Sequence, residues 1–569
     1  MASKTVRSRP IQGQALFFIT SPRTPFKAIP EIKLWNEKLH GQTWDKNTQL
    51  RFYELLREES FFEGNEAKDK AFAGRDRINR LPKALGFVRL PIIGLTSVGR
   101  EFIETNNKEE ILLRQMLKLQ YPSPYHPLGK NATDYYVKPY LELFRLIRDL
   151  GELAFDELHI FAMQLVNYQR YDTILSKIKR YREECAAHKG KLKLFKKELF
   201  YREASIIYAQ EIERGALQIR ENGKKTKTKE EYLETKISNL RDYADAAVRN
   251  LRSTGLVHAS AIGKTLSILP ERQGDVDYFL RTIPREPCFV KDQERYEEYL
   301  WNPSIPKLLS DNESAIINEL KQKFNYDVDK SLSLNRLKDV LNQKREERRN
   351  EKIEEQVKVL KSYKDYEQIE ETFKTMHQSY DEPLFFEWNT WRAMTMLDGG
   401  EIKANLKFDD SGMPMSTAMG NMADIECDYG DFDVIVEVTT SSGKTQFKME
   451  GEPVPRHIGI HKEKHQKPTY CFFIAPTIST STIGHFYSLF VSNIVEYGGK
   501  CNIIPMTLDT FRVMLKKAVE APNKPTPQDI RKLFEKSQAY AKECIMNDAT
   551  DRDWYDRITE TVNNWLAIQ

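Results

Sequence analysis

The sequence predicts a multidomain protein with a mainly helical N-terminal half and an α/β domain in its C-terminal half. The chain has 569 residues, and a single hydrophobic core stops growing at about 250 to 300 residues. In the N-terminal half, three short units alternate helical and strand patterns. From Phe386 onward the pattern changes, and the apolar runs 433–438 and 470–475 have the length and composition of buried strands.

The first N-terminal unit combines a strand, a turn and a helix. Residues 86–89 predict a strand, and the segment after it predicts a helix that is capped by the side chain of Thr96. A strand and a turn beside a helix are typical of the wing of a winged-helix module. We therefore expect a winged-helix-like subdomain in residues 1–130.

Two further units lie in residues 131–283. After Tyr140, a helix ends at Gly151 and a second helix follows after a short turn, which is the spacing of a helix-turn-helix motif. A long helix that ends near Gly255 precedes a hairpin that we expect to turn near Gly263. A helix followed by two strands is again the winged-helix order. Such units serve protein contacts as well as DNA contacts, so both functions stay open.

The distribution of charge is more informative than its sum. The net charge is only +4, from 87 Lys and Arg against 83 Asp and Glu. Basic residues cluster in the segments 177–182, 189–197 and 224–229. A solvated helix face with a Lys-rich loop explains any one cluster. Three clusters close together in the sequence favour a surface that binds phosphates.

The spacing of the cysteines and the hydropathy of the chain indicate the cellular compartment of the protein. The six cysteines are widely spaced and form no CxxC pair, which argues against a zinc site and against a secreted disulfide scaffold. The N-terminus lacks the apolar segment of a signal peptide, and no stretch approaches the roughly 18 apolar residues of a membrane span. We expect a cytoplasmic protein that has no membrane partner.

A linker is predicted between the two halves. Residues 284–312 are proline-rich and weakly periodic, and they include the run Pro303–Pro306. The charged segment that follows, residues 313–380, predicts exposed helices with ion pairs between residues four apart. It leads into the C-terminal domain, which we place at residues 313–569.

Two acidic residues in the C-terminal half have the pattern of a metal site. Asp424 begins one predicted strand, and Glu437 lies in the apolar run of the next strand of the same hairpin. Hydrolysis of a phosphodiester requires a hard cation held by oxygen ligands, which two such carboxylates supply. A carboxylate in an apolar run is costly to bury unless it is paired or bound to metal. The alternative is that Glu437 faces solvent at the end of its strand.

The segment 424–457, with EVTTSSGKTQFKMEGEPVPRH at its core, resembles the AlwI-like type IIS restriction endonucleases, a family that also contains site-specific nicking enzymes. The resemblance covers nearly the whole chain. Further blocks occur in the order of the family, at residues 21–25, 75–77, 86–88, 119–123, 242–255, 302–306 and 386–388.

The resemblance implies a recognition half that binds double-stranded DNA, a linker, and a PD-(D/E)XK nuclease domain that cuts a few bases outside a short asymmetric site. It implies that Asp424 is the aspartate of the PD motif and that Glu437 is the second ligand of Mg²⁺. Glu387 on the preceding helix and Glu450 on the following helix would complete an acidic catalytic cluster, and His457 would contact water or the phosphate. One such centre nicks one strand, and cutting both requires a transient homodimer or a second nuclease subunit.

The sequence departs from the PD-(D/E)XK pattern at two positions. Ala423 replaces the proline, which shapes a turn and does no chemistry, and Thr439 replaces the lysine, which would stabilise developing negative charge. Lys444, Lys448 or a second metal ion would then supply the positive charge. The alternative function is a catalytically inactive, sequence-specific DNA-binding protein with a decayed nuclease fold.

Two arginines are candidates for DNA recognition. Arg75 and Arg77 lie in one of the family-like blocks, and arginine can read guanine through two hydrogen bonds in the major groove. The alternative for each is a surface ion pair with Asp76 or another acid. Lysines and arginines of the basic clusters would add phosphate contacts that carry no sequence information.

Overall fold

The computed structural model describes residues 14–59, 61–62, 66–129, 132, 134–217, 228–260, 264–329, 331–379, 381–417 and 422–566. These residues form two compact units, one up to Glu346 and one from Glu347 onward. The division falls inside a long helix. The expected linker, residues 284–312, instead lies within the first unit.

The first unit is mainly helical. Its helices are α1 (Ala28–Leu39), α2 (Lys46–Glu58), α3 (Lys70–Asn79), α4 (Leu81–Ala84), α5 (Ser97–Glu104), α6 (Lys108–Lys118), α7 (Pro139–Leu150), α8 (Phe155–Ile160), α9 (Tyr171–Ala187), α10 (Leu192–Ile207), α11 (Ala209–Glu213), α12 (Lys229–Arg252), α13 (Gln273–Thr282), α14 (Gln293–Trp301) and α15 (Glu313–Phe324). Its strands are β1 (Val88–Arg89), β2 (Gly94–Leu95), β3 (Leu153–Ala154), β4 (Val257–Ala259) and β5 (Thr265–Ile268). Helix α16 (Leu334–Leu360) begins in this unit.

The predicted strand, turn and capped helix form as expected. β1 and β2 make an antiparallel pair, and α5 follows directly. The Thr96 hydroxyl accepts a hydrogen bond from the Gly99 amide at 2.9 Å and donates one to the Gly86 carbonyl at 2.6 Å, so the predicted cap is confirmed. A Cβ on Gly99 would lie 1.9 Å from the Phe87 carbonyl oxygen. The glycine therefore allows α5 to lie directly against the β1 backbone.

The second and third expected units are a single structure. A three-stranded antiparallel sheet has the order β3-β5-β4, and it pairs Leu153 of β3 with Leu266 of β5. Strand β3 separates α7 from α8, so the expected helix-turn-helix contains a strand that the sequence pattern did not predict. Helix α7 ends as predicted, at Gly151 with a φ of +79°. The expected turn at Gly263 lies outside the described residues.

The segment predicted as a linker is tightly bound to the first unit. Gln115 of α6 donates hydrogen bonds to the Leu85 carbonyl at 2.6 Å and to the Leu300 carbonyl at 2.8 Å. Lys118, also on α6, donates to the Leu300 and Asn302 carbonyls, and its burial lowers its pKa to about 6. Buried polar groups with these partners fix the segment in place. The prolines of this segment lie in packed stretches on either side of helix α14.

The second unit is an α/β structure. Its helices after α16 are α17 (Tyr366–Thr375), α18 (Glu382–Leu397), α19 (Gly443–Glu450), α20 (Pro453–His465), α21 (Thr480–Leu489), α22 (Leu508–Glu520), α23 (Pro527–Met546) and α24 (Asp551–Asn563). Its strands are β6 (Glu401–Ala404), β7 (Lys407–Phe408), β8 (Pro414–Ser416), β9 (Ile425–Asp428), β10 (Asp433–Val438), β11 (Thr469–Ala475) and β12 (Ile503–Thr507).

The main sheet of this unit has the strand order β12-β11-β10-β9-β6. Strands β10, β11 and β12 are parallel, and β9 and β6 are antiparallel additions. The first five residues of β10 and the last five of β11 are buried, which confirms the two predicted buried strands and is typical of a parallel sheet covered on both faces. All residues of α18 from Leu384 to Leu397 are buried, so α18 is a central core helix. No helix of the described residues is long and apolar enough to cross a membrane.

Candidate active site

The hairpin of β9 and β10 brings Asp424 and Glu437 together. Its register pairs Ile425 with Val436, Asp424 is one residue before Ile425, and Glu437 is one residue after Val436. The two carboxylates therefore stand side by side on the same face of the sheet. Asp424 is held there by its Oδ2 atom, which accepts a hydrogen bond from the Val438 amide at 2.8 Å.

Glu437 is buried and has a specific partner. Only 6% of the residue is exposed, and its Oε1 atom lies 2.8 Å from Nδ1 of His457 on α20. The alternative in which Glu437 faces solvent at a strand end is therefore wrong. Because a carboxylate only accepts hydrogen bonds, Nδ1 carries the proton in this contact. His457 thus contacts a member of the acidic pair directly.

Glu387 and Glu450 complete the acidic cluster, on α18 and α19. The pKa of Asp424 is raised well above its ordinary value, first by burial and then by the negative charges of Glu387, Glu437 and Glu450. Glu387 is itself buried within the core helix. The four predicted carboxylates therefore share one site, and each of the other three disfavours the ionisation of Asp424.

Glu450 has a proton affinity suited to neutral pH. Burial raises its pKa to about 7, assisted by the charge of Glu437 and opposed by hydrogen bonds to Thr439 and Ser441 and by the charge of His457. The Ser441 hydroxyl donates to Oε1 of Glu450 at 3.4 Å. At neutral pH, protonated and ionised forms of this carboxyl are both well populated, which is a requirement for proton transfer near pH 7.

The loop between β10 and α19 is held by a residue that the sequence analysis missed. Gln446 is fully buried; it donates to the Ser441 carbonyl at 3.0 Å and to the Thr477 carbonyl at 2.7 Å, and it accepts from the Ser479 amide at 2.8 Å. The three bonds position α19 and hence Glu450. The available signal was a polar residue inside the long family-like block, but such a position alone does not indicate burial.

The substituted lysine position is occupied by a hydroxyl network. The Thr439 side chain lies 2.8 Å from the Ser441 hydroxyl and accepts from the Ser441 amide at 3.1 Å. Lys444 and Lys448, the candidate replacements, are both exposed on α19. Thr439 thus supports the loop and Glu450 without bringing a positive charge to the site.

The two recognition candidates, Arg75 and Arg77, have different surroundings on α3. Arg77 donates to the buried Glu31 at 2.5 Å and lies 5.0 Å from the centre of the Phe62 ring. Arg75 lies 4.8 Å from the centre of the exposed Phe72 ring. Arg77 is therefore anchored to its own unit, whereas Arg75 lies beside an exposed aromatic ring.

Several residues of the basic clusters are ion-paired within the first unit. Arg182 forms two hydrogen bonds with Glu157, and Lys177 contacts Glu203 at 2.9 Å. Lys196 contacts Asp156 at 2.6 Å. These contacts hold α8, α9 and α10 together, so Arg182, Lys177 and Lys196 contribute to the packing of the first unit. Lys224, Lys225 and Lys227 lie outside the described residues.

Comparison with known proteins shows the class of enzyme. The family model that matches the chain describes restriction endonucleases, which are DNA-cleaving enzymes. That model is of the AlwI restriction endonucleases, it matches residues 84–514, and the chain belongs to this family. The resemblance seen in the sequence is thereby confirmed. No curated protein matches the chain.

Two solved structures resemble parts of the chain. The small subunit of the heterodimeric restriction endonuclease R.BspD6I is 23% identical, with a TM-score of 0.27, over 37% of this chain and 96% of that subunit. The BpuJ1 endonuclease binding domain, in complex with pyrene- and phenanthrene-modified DNA, is 13% identical, with a TM-score of 0.34, over 52% of this chain and 100% of that domain. At these scores, neither similarity assigns a fold or a role to residues of this chain.

Proposed function

We propose that the protein is a Mg²⁺-dependent endonuclease of the type IIS kind, which cuts duplex DNA a few bases outside a short asymmetric site. In this proposal the first unit recognises DNA and the second is a PD-(D/E)XK-like cleavage domain. The observation that carries it is the pair Asp424 and Glu437, side by side on adjacent strands, with Glu387 and Glu450 near enough to raise the pKa of Asp424.

The residues present fit a hard divalent cation. Four carboxyl groups share the site. The pKa of Asp424 is raised by burial first and by the charges of the other three second, and a cation bound between them would relieve that repulsion. Mg²⁺ prefers oxygen ligands, and Asp424 and Glu437 would hold it. When bound, Mg²⁺ would neutralise charge on the phosphate and make water a stronger nucleophile.

The protein's own groups have distinct proposed roles. The Val438 amide and the His457 imidazole orient the carboxylates of Asp424 and Glu437, respectively. Glu450, with a pKa of about 7, accepts a proton from the attacking water. Lys448 would contribute positive charge from α19 when the phosphate is bound, since Thr439 brings none.

The secondary structure of the first unit supports its proposed role in DNA recognition. Helix α12 is followed by the strands β4 and β5, and the hairpin of β1 and β2 lies beside α5, which are the arrangements expected of winged-helix-like units. We propose that Arg75 contacts DNA directly. Arg77, held by Glu31, would contact the phosphate backbone from a fixed position.

The same proposal bears on how many DNA strands are cut and on the cellular compartment of the protein. One acidic cluster cuts one strand, so cutting both requires a transient homodimer or a second nuclease subunit. The six cysteines are all free thiols, which supports a reducing cytoplasm. A decayed, binding-only protein is the second candidate, favoured by Thr439 at the lysine position.

Cleavage of supercoiled plasmid tests the proposal. We expect discrete nicked or linear products with Mg²⁺ and none with a chelator. Asp424→Asn and Glu437→Gln should each abolish cleavage while retaining DNA binding. Asp509→Asn is the matched control, because 88% of that side chain is exposed at the start of α22. Retarded DNA without cleavage by the wild-type protein, across divalent ions and salt concentrations, would establish the binding-only alternative.

A further inference from the structure

A second cluster of ligand groups lies along the same sheet face, at the other end of β10. His457, His461 and His465 are spaced four residues apart on α20, so they project from one side of this helix. His457 contacts Glu437, whereas His461 contacts Asp433 at 2.9 Å through Nε2. Asp433 and Glu437 are four residues apart on a strand, a distance of about 13 Å. His457 therefore belongs to the acidic cluster at Glu437, whereas His461 lies at the other end of β10, beside Asp433.

Glu426 joins the two distal histidines. One ligand atom of each of Glu426, His461 and His465 lies within 4.8 Å of the others. Asn405 donates to Oε1 of Glu426 at 2.9 Å and so restrains this carboxylate. Nε2 of His465 is buried and has no hydrogen-bond partner among the described residues. A buried ring nitrogen without a partner indicates a position where a ligand would be favourable.

We propose that Glu426, His461 and His465 form a second metal site, which binds Zn²⁺. Two imidazoles and one carboxylate are a common protein ligand set of zinc, whereas the catalytic cluster offers the oxygen-rich set that suits Mg²⁺. Histidines four residues apart on one helix face are typical of zinc-binding helices. Nε2 of His461 lies 2.9 Å from Asp433, so in this proposal Nδ1 of His461 binds zinc and Asp433 is the outer carboxylate that orients the ring.

Adjustment of side chains alone would bring the three ligand groups to metal-binding distance. Metal–ligand bonds of about 2.0 to 2.2 Å bring ligand atoms to about 3.3 Å from one another in a tetrahedral site. The rings of His461 and His465 are parallel within 9°, with centroids 4.2 Å apart. His465 lies in the last turn of α20 and its side chain is 30% exposed, so it can rotate toward the other two ligands.

The proposed zinc site would fix the catalytic geometry. It would join α20, which carries His457, to the β9–β10 hairpin, which carries Asp424 and Glu437. Zinc bound at this site would stabilise the second unit and hold the catalytic residues in position for cleavage. Zinc binding does not depend on the proposed nuclease function; only its effect on cleavage does.

Metal binding by the full-length protein tests the site. The protein is stripped with a chelator, dialysed against a small excess of Zn²⁺ and then against metal-free buffer. Bound Zn²⁺ is measured by mass spectrometry of the metal, and Co²⁺ is used as a spectroscopic probe of the ligands. The double variant Asp424→Asn/Glu437→Gln is included to remove the catalytic ligands. We expect one Zn²⁺ per chain in the wild type and in this double variant, and a rise in Tm on adding Zn²⁺ to both.

Glu426→Gln and His465→Gln should each weaken Zn²⁺ binding at least tenfold and abolish the rise in Tm. Glu463→Gln, an exposed change on the same helix, is the control and should bind as the wild type does. Glu426→Gln preserves shape, so its circular dichroism should match the wild type in the absence of metal. Unchanged zinc affinity in both ligand variants, loss of zinc from the catalytic double variant, or no zinc binding by the wild type would each overturn the proposal.

Discussion

The hydrogen bond between Nδ1 of His457 and Oε1 of Glu437, at 2.8 Å, joins helix α20 to the central strand of the main sheet of the second unit. The bond fixes which oxygen of Glu437 is engaged and leaves the other oxygen available to a ligand. The histidine is therefore a positioning residue for a carboxylate that we propose to hold Mg²⁺.

His457→Ala should lower cleavage about 10- to 100-fold, the usual effect of removing a partner that orients a metal ligand. Part of the loss should be regained at high Mg²⁺ concentration, because Glu437 remains present but less ordered. Rates measured across a Mg²⁺ titration check this, with Glu463→Gln as the control on the same helix. Equal cleavage rates of the wild type and His457→Ala at every Mg²⁺ concentration would show that this contact does not orient the site.

Cleavage should increase with pH as Glu450 ionises, and the midpoint should lie below the metal-free pKa of about 7, because a bound cation favours the ionised carboxylate. The rate of single-turnover cleavage between pH 4.5 and 8.5 measures this, at saturating Mg²⁺. Glu450→Gln should remove most activity and the pH-dependent step in what remains. A wild-type rate profile that is flat across this range would contradict the proton-accepting role of Glu450.

The metal-free protein should lose stability as the pH rises. The folded-state pKa of Glu450, about 7, lies above its ordinary value of 4.5, so the folded protein binds this proton more tightly. The stabilisation is complete below about pH 4.5 and is lost as the pH rises through 7. Denaturant unfolding at pH 6 and pH 8, with Glu450→Gln as the reference, should show a larger decrease for the wild type. An equal decrease in both proteins would assign the pH effect to other groups.

Gln446→Ala should destabilise the second unit by about 2 to 4 kcal/mol, because it leaves two carbonyls and one amide without their buried partner. Cleavage should also decrease, because the substitution frees the loop that positions Glu450. Thr445→Ala, an exposed change on the same helix, should alter neither. Chemical unfolding and plasmid cleavage measure the two effects, and wild-type stability of the Gln446 variant would contradict the anchoring role.

The two arginines of α3 should differ in their effect on stability, whereas both should contribute to DNA binding. Arg77→Ala leaves the buried Glu31 without its partner and should cost about 2 to 4 kcal/mol of folding free energy. Arg75→Ala should leave stability unchanged and weaken DNA binding with a smaller salt dependence. Thermal unfolding and DNA titrations at several salt concentrations distinguish them, and equal DNA affinity of Arg75→Ala and wild type would remove Arg75 from the interface.

Local signals explain which parts of the fold were predictable. The Thr96 cap, the end of α7 at Gly151 and the buried strand 433–438 each depend on a few adjacent residues, and the structure has all three. The family resemblance predicted Asp424, Glu437, Glu387 and Glu450 as site residues. The sheet register places the first two side by side, and the charges of Glu387 and Glu450 act on Asp424 from helices.

The remaining features depend on contacts between residues that are distant in the sequence. Strand β3 has two residues, too few for any periodicity, and its partner in β5 lies more than one hundred residues later. The segment 284–312 has the composition of a linker, and only the contacts from Gln115 and Lys118 reveal that it is packed. The spacing of His461 and His465 is visible in the sequence, but the proximity of Glu426 is a product of the tertiary structure.

The position of β10 within its sheet divides the site into a rigid and an adjustable part. Strand β10 is hydrogen-bonded to β9 on one side and to β11 on the other, so its amides should be among the slowest of the chain to exchange with solvent hydrogen. Glu437 cannot shift unless that sheet opens. Glu450 ends an eight-residue helix that is anchored through the buried Gln446, whereas Phe447, Lys448 and Met449 before Glu450 are exposed. Accommodation of a different cation, or of a distorted DNA backbone, should therefore come from the α19 side of the site.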